Sequence, residues 1–266
     1  MRGFSFIIKG FCSVASNQNA SKPTLISSAE IKVERAYKHI LELSDLLAAF
    51  LESHNGRIAH EFDRNADTQY IRLDVLDPPS EIPYIVGDIA HNLRSALDHV
   101  AGEIRASGGG KPEDGYFPIS DNRVGTEKSV AKNIRPFNAN VARVILENVD
   151  CSDARNAPIW GIKEINNIDK HRRTVLTVTR VGAVARGVRV GGLYIKNLVV
   201  KQNPRESMIS APISTKVTTE EDFSPTLSVT FGEPAAFNGQ SVIPTLTNSA
   251  EAVSHAIRIC RTALHE

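Results

Sequence analysis

The sequence predicts an α+β fold: an N-terminal helical bundle with a β-hairpin insertion, followed by an antiparallel β region and a closing C-terminal helix. Three observations carry this prediction. In four stretches of the first 170 residues, apolar side chains recur every three or four positions, the period of an amphipathic helix. From Thr174 the period drops to two, as in TVLTVTRV, VRVGGLYIKNLVV and TLSVTF. After Asn248 the helical period returns, and a run of helices, then strands, then a helix is the pattern of α+β chains.

The first helix is expected over residues 28 to 53. Ser27 with Glu30 forms a capping box, and Val33, Ala36, Ile40, Leu43, Leu47 and Phe50 make its apolar stripe, up to Asn55-Gly56. RIAHEFD and TQYIRLDVL alternate around Asn65-Ala66-Asp67, which predicts a hairpin that Pro78-Pro79 closes. Ser80 is the expected cap of a second helix, with Pro83 in its first turn. Val86, Ile89, Leu93, Leu97, Val100 and Ile104 form its stripe, and Ser107-Gly108-Gly109-Gly110 ends it. That glycine run follows a helix and precedes Lys111-Pro112, so it is not a phosphate loop. Two shorter helices are expected around 138 to 149 and 157 to 169, and a last one capped by Asn248 with Glu251, in which Val253, Ile257, Cys260 and Leu264 share a face. Because that helix needs an apolar partner, it is expected to return to the N-terminal helices and close a single domain over 27–266. Its helical part is 27–172, its β-rich part 173–247 and its last helix 248–266, and residues 1–26 are read as a loose extension.

Composition narrows the function classes. With 41% hydrophobic residues, 266 residues suffice for a full core. The net charge of +1 argues against a generic coat for nucleic acid or membrane, but the charge is unevenly spread. Between Lys132 and Arg205 fourteen basic residues face five acidic ones, so the middle is basic and the remainder acidic. Cys12, Cys151 and Cys260 are far apart with no CxxC spacing, which fits a reducing compartment and excludes a cysteine-based zinc site. Lys9 splits the apolar patch near the N-terminus, and no stretch reaches the length of a membrane span, so a cytoplasmic protein with no membrane partner is expected.

Two polar knots are the candidates for function: HNLRSALDHV at 91 to 100 and NNIDKHRR at 166 to 173. On a helical wheel Asp88, Asn92, Ser95 and His99 fall on one line, with His91 and Asp98 beside it and Arg94 within reach of Asp98 one turn on. Trp160, Glu164, Asn167 and His171 repeat the same spacing, and Asp169, Lys170, Arg172 and Arg173 crowd the end of that helix. Three chemistries can be drawn from the set. His91, His99, His171, Asp98 and Asp169 offer metal ligands, but no His pair at i, i+4 and no compact ligand motif gathers them. Ser95 with His99 one turn away offers a nucleophile and base, but a mid-helix serine has no sharp elbow to expose it. The third needs neither metal nor cofactor: attack of an RNA 2′-hydroxyl on its neighbouring phosphate, with His as acid or base and Arg holding the charge that develops on phosphorus.

Arg94 to His99 reads R-x4-H on a helix, and in this it resembles the motif of HEPN ribonucleases. That resemblance implies RNA as partner, a site completed across a homodimer, and a place in toxin or antiphage systems; an antitoxin partner cannot be named from the sequence. It also implies Arg94 as phosphate stabiliser, His99 as acid or base, and Asp98 or Asn92 as the group that orients it. His91, Asp169, His171 and Arg172 are the auxiliary contacts. More widely, VERAYKHI, GDIAHNLRSALDH, YFPI and NNIDKHR are similar to a set of bacterial proteins with no assigned activity, a kinship that supplies no mechanism. The alternative is a non-enzymatic interaction protein in which both knots are hydrogen-bonded core seams.

Overall fold

A computed structural model describes residues 27–53, 57–74, 79–149, 151, 158–170, 176–202, 209–218 and 224–266. The N-terminal extension over 1–26, His171 and Arg172 lie outside the described residues. The architecture is α+β, with N-terminal helices, antiparallel sheets in the middle and a C-terminal helix.

Helix α1 (Ser28–Ser53) starts where the capping box places it: the Ser27 amide donates to Glu30 Oε2 at 2.9 Å, and the Glu30 amide donates to Ser27 Oγ at 3.3 Å. Strands β1 (Arg57–Asp63) and β2 (Thr68–Asp74) pair antiparallel. Asp63 Oδ1 accepts from the amides of Asn65 and Ala66, and Asp67 takes a left-handed φ of 49°, so short polar side chains shape this turn. Helix α2 (Ile82–Ser107) buries the whole predicted stripe, from Val86 through Ile104, at no more than 1% exposure. Each of those side chains contributes about 1.5–3 kcal/mol by leaving water. Its start differs from expectation. Glu81 is the N-cap, no side chain caps it, and Pro83 stands in the first turn, so the fixed φ of proline starts the helix in place of a Ser80 cap.

Helix α3 (Arg123–Asn133) was not anticipated, because only Thr126 and Val130 are buried and no apolar stripe marks it. What starts it is Asn122, whose side chain accepts from the Gly125 amide at 2.8 Å. Helices α4 (Ala139–Asn148) and α5 (Pro158–Asp169) fall where the periodicity puts them. The β region holds β3 (Leu176–Val190), β4 (Leu193–Gln202), β5 (Ile209–Pro212), β6 (Val217–Thr218) and β7 (Ser224–Phe231). The long strand β3 has β4 along one edge and β7 then β6 along the other, with a register shift between Val178 and Arg180. Strand β5 instead pairs with β2, so the expected hairpin insertion is two strands of a three-stranded sheet in the order β1-β2-β5.

Helix α6 (Val242–His265) has Ser241 as its N-cap, seven residues before the expected Asn248 cap. Val242, Leu246 and Ser249 are buried on the same face as Val253, Ile257 and Cys260, so packing carries the helix back past the polar residues that look like a start. It returns to the N-terminal helices as expected, touching α1, α2, α4 and α5. Arg261 ties the three long helices together, reaching Glu30 Oε1 at 3.0 Å and Glu103 Oε1 at 2.8 Å. Val229 and Phe231 of β7 enter the same core, and Phe237 lies against Gly161 of α5, where a β-carbon would overlap its ring. Among the described residues no helix is long and apolar enough to cross a membrane.

Candidate functional site

Helices α2 and α5 pack together, and the two polar knots meet between them. The helices run antiparallel. At one end the Asp169 carboxylate lies on Gly87, where a β-carbon would overlap it; at the other, Lys163 and Trp160 reach Asp121, four residues beyond the Phe117 that is bonded to Asp98. The cleft between them has a cavity volume of about 110 Å3 and is partly open to solvent. Helix α2 lines it with His91, Arg94, Ser95 and Asp98, and α5 with Lys163, Asn166, Asn167 and Lys170. Both quartets follow i, i+3, i+4, i+7, one face of a helix. Tyr116, in the segment after α2, completes the lining.

The arrangement differs from the two polar lines that the helical wheel suggests. The line through Asp88, Asn92, Ser95 and His99 is split: Asn92 is buried and donates to the Asp88 carbonyl at 2.8 Å, while the His99 Nδ1 lies 2.7 Å from Ser28 Oγ at the start of α1. His99 is therefore not beside Arg94 in the cleft. The imidazole that is there is His91. On α5, Trp160 turns its indole N–H to Asp121 Oδ1 at 3.2 Å, Asn167 lines the cleft, and His171, the end of the second expected line, lies outside the described residues.

Arg94 is 5% exposed and is held on several sides. Its Nε and Nη2 donate to the two Asp98 oxygens at 3.1 and 2.7 Å, Nη2 also donates to the Phe117 carbonyl at 3.2 Å, and the guanidinium lies 4.2 Å from the centre of the Tyr116 ring. Asp98 Oδ1 in turn accepts the Phe117 amide at 2.9 Å. The pair thus clamps the backbone of Phe117 onto α2, a seam of the kind the second reading of the sequence expects. One atom is left over: Nη1 of Arg94 is buried with no hydrogen-bond partner among the described residues. An unsatisfied buried donor costs about 1–3 kcal/mol, and more when charged.

Across the cleft, Lys163 bonds Asp121 Oδ1 at 2.6 Å and lies 3.4 Å from Glu164. The Asp121 carboxyl is held below its usual range by the hydrogen bond from Lys163, by that from Trp160, and by the Lys163 charge. Burial opposes the charge on Lys163, but its carboxylate neighbours outweigh it and raise the ammonium's pKa. The Asp169 carboxyl is pushed up, first by burial and then by the Asp88 charge, with His91 acting against both. A raised carboxyl pKa means that the folded chain holds this proton more tightly than the unfolded one, so stability is favoured below the ordinary aspartate range and lost as pH rises through the raised value. Asp169→Asn is expected to remove that part of the pH dependence, seen as a flatter plot of urea midpoint against acid pH. A profile identical to that of the unaltered chain would contradict the assignment.

Among the described residues, no three His, Cys, Asp or Glu side chains are gathered as metal ligands would be. Of the residues expected from sequence, Arg94, Asp98 and His91 share the cleft, Asp169 stands at its end, and Asn92 and His99 face elsewhere. Sequence reasoning missed Tyr116, Lys163 and Asn166 as lining residues. The spacing of Lys163, Asn166, Asn167 and Lys170 was the available signal, but nothing local marks that face as the one turned to α2. Comparison of the chain with protein-family models, with curated proteins and with solved structures finds no match in any of the three.

Proposed function

We propose that this protein binds RNA through backbone phosphate held in the α2–α5 cleft. The observation that carries the reading is the convergence of Arg94, Lys163 and Lys170, with His91 and two carboxamides, on one solvent-reachable space. Cations placed on facing helices suit an anionic backbone, and Asn side chains suit base edges or ribose hydroxyls. Of the two branches of the HEPN-like reading, binding is favoured over cleavage, because the arginine and histidine of R-x4-H do not share the cleft. In keeping with that resemblance, the proposal extends to a homodimer in a toxin or antiphage setting and to the cytoplasm, a location that the separated cysteines support by fitting a reducing compartment.

The test is the affinity for mixed single-stranded RNA as a function of salt. Lys170→Ala is expected to weaken binding and to lower the slope of log affinity against log salt by about 0.7, the value for one phosphate contact on a single strand. A parallel incubation in excess chelator, with Arg94→Ala and His99→Ala, reads cleavage. Absence of binding at low salt defeats the proposal and favours an interaction protein, a reading that the Arg94–Asp98–Phe117 clamp supports.

A further inference from the structure

We infer that the cleft takes the phosphomonoester group of a nucleotide, so that it engages the phosphorylated end of an RNA strand. The inference rests on the reading of the cleft as an RNA site. Two sources share this chemistry, a phosphorylated RNA end and a free mononucleotide.

Size is the first argument. With a cavity volume of about 110 Å3, below the roughly 300–1,000 Å3 of sites that enclose a whole ligand, the cleft has room for one phosphate group, with ribose and base lying at its open rim. The second is the unpartnered Nη1 of Arg94, in a residue 95% buried that lines the cleft. Asp98 holds the other edge of the guanidinium in a two-point grip, so Nη1 is a donor fixed in advance, and an arriving phosphate oxygen supplies the acceptor that the protein withholds.

Nη1 has no exposed surface of its own. Contact between Nη1 and a phosphate oxygen therefore requires a side chain to move aside, and the half-exposed Tyr116 ring, 4.2 Å from the guanidinium, is the neighbour placed to do so. The third argument is the placing of the other groups. Lys163 and Lys170 stand two turns apart on α5, with Asn166 and Asn167 between them. Lys163 is already paired with Asp121, so Lys170 supplies the charge of that row, and a monoester, which carries about −1.5 to −2 at neutral pH where an internal diester carries one charge, gains the more from it. The carboxamides between them reach ribose hydroxyls or a base edge.

The experiment measures competition for the full chain by four ligands: one short RNA sequence made with a 5′-phosphate, with a 3′-phosphate and with hydroxyls at both ends, and the corresponding nucleoside monophosphates. The expected result is that a phosphorylated end binds about tenfold or more tightly than the hydroxyl-ended strand, the scale of one charge-assisted hydrogen bond. Lys170→Gln, at an exposed position with no part in the Arg94 clamp, is expected to shrink that preference while the circular dichroism spectrum stays unchanged.

If the monophosphates compete fully and no RNA exceeds them, the phosphomonoester site stands and the RNA reading falls. If hydroxyl-ended RNA binds as tightly as phosphorylated RNA and monophosphates do not compete, the inference is overturned while RNA binding stands. If nothing binds, both are overturned.

Discussion

Replacing Asp98 with alanine is expected to lower the unfolding free energy by about 3 kcal/mol, the lower end of the cost of breaking a buried ion pair from one side. Asp98 is itself 29% exposed, but the guanidinium it holds is 6% exposed and cannot recover its hydration. One further group loses this acceptor with it, since Asp98 accepts from the Phe117 amide as well as from Nε and Nη2 of Arg94. Asp98→Asn keeps an acceptor and loses the charge, so its cost is expected to be smaller. The double change Arg94→Met with Asp98→Leu removes both charges and is expected to regain most of the loss. Urea unfolding of the four chains measures this. A loss for Asp98→Ala near 0.5 kcal/mol would mean that the pair behaves as an ordinary exposed i, i+4 pair and clamps nothing.

Gly115→Ala is expected to cost a similar amount, about 2–3 kcal/mol, at the upper end of overpacking penalties. Gly115 has φ −66°, a conformation open to any residue, so the substitution tests space alone. A β-carbon there meets the backbone of Gly102 and Ala101 on α2, and a helix backbone has no rotamer with which to escape. The segment must lift, and Tyr116 and Phe117 lift with it. Loss of stability is therefore expected together with weaker ligand binding, whereas Gly192→Ala, with nothing within 4 Å, should stay within about 0.5 kcal/mol of the original. Unfolding and binding measured on the same preparations check the coupling. A Gly115→Ala chain of full stability would show that the close approach to α2 is not needed.

How far the sequence reached depends on the kind of signal. The long helices were legible because their stripes are long: six predicted positions on α1 and six on α2 are all buried. The Ser27–Glu30 box and the Asp63 turn were legible because a side chain answers a backbone group a few residues away. Helix α3 was not, since its two buried residues make no stripe, and the start of α6 was misplaced because Asn248 and Glu251 imitate a cap inside a helix that packing extends. The pairing of β5 with β2 joins positions some 140 residues apart, a partnership that no local pattern specifies.

The candidate site divides in the same way. The sequence by itself determined that α2 and α5 each carry a dense polar face, that Arg94 reaches Asp98 one turn on, and that the region around them is basic. Only the tertiary structure decided which polar line faces which neighbour. Helical periodicity fixes the angles between side chains on one helix, but the rotation of that helix against its partners is set by the whole core. Here that rotation gave His91 to the cleft and His99 to Ser28, and it left one guanidinium nitrogen of Arg94 without a partner among the described residues.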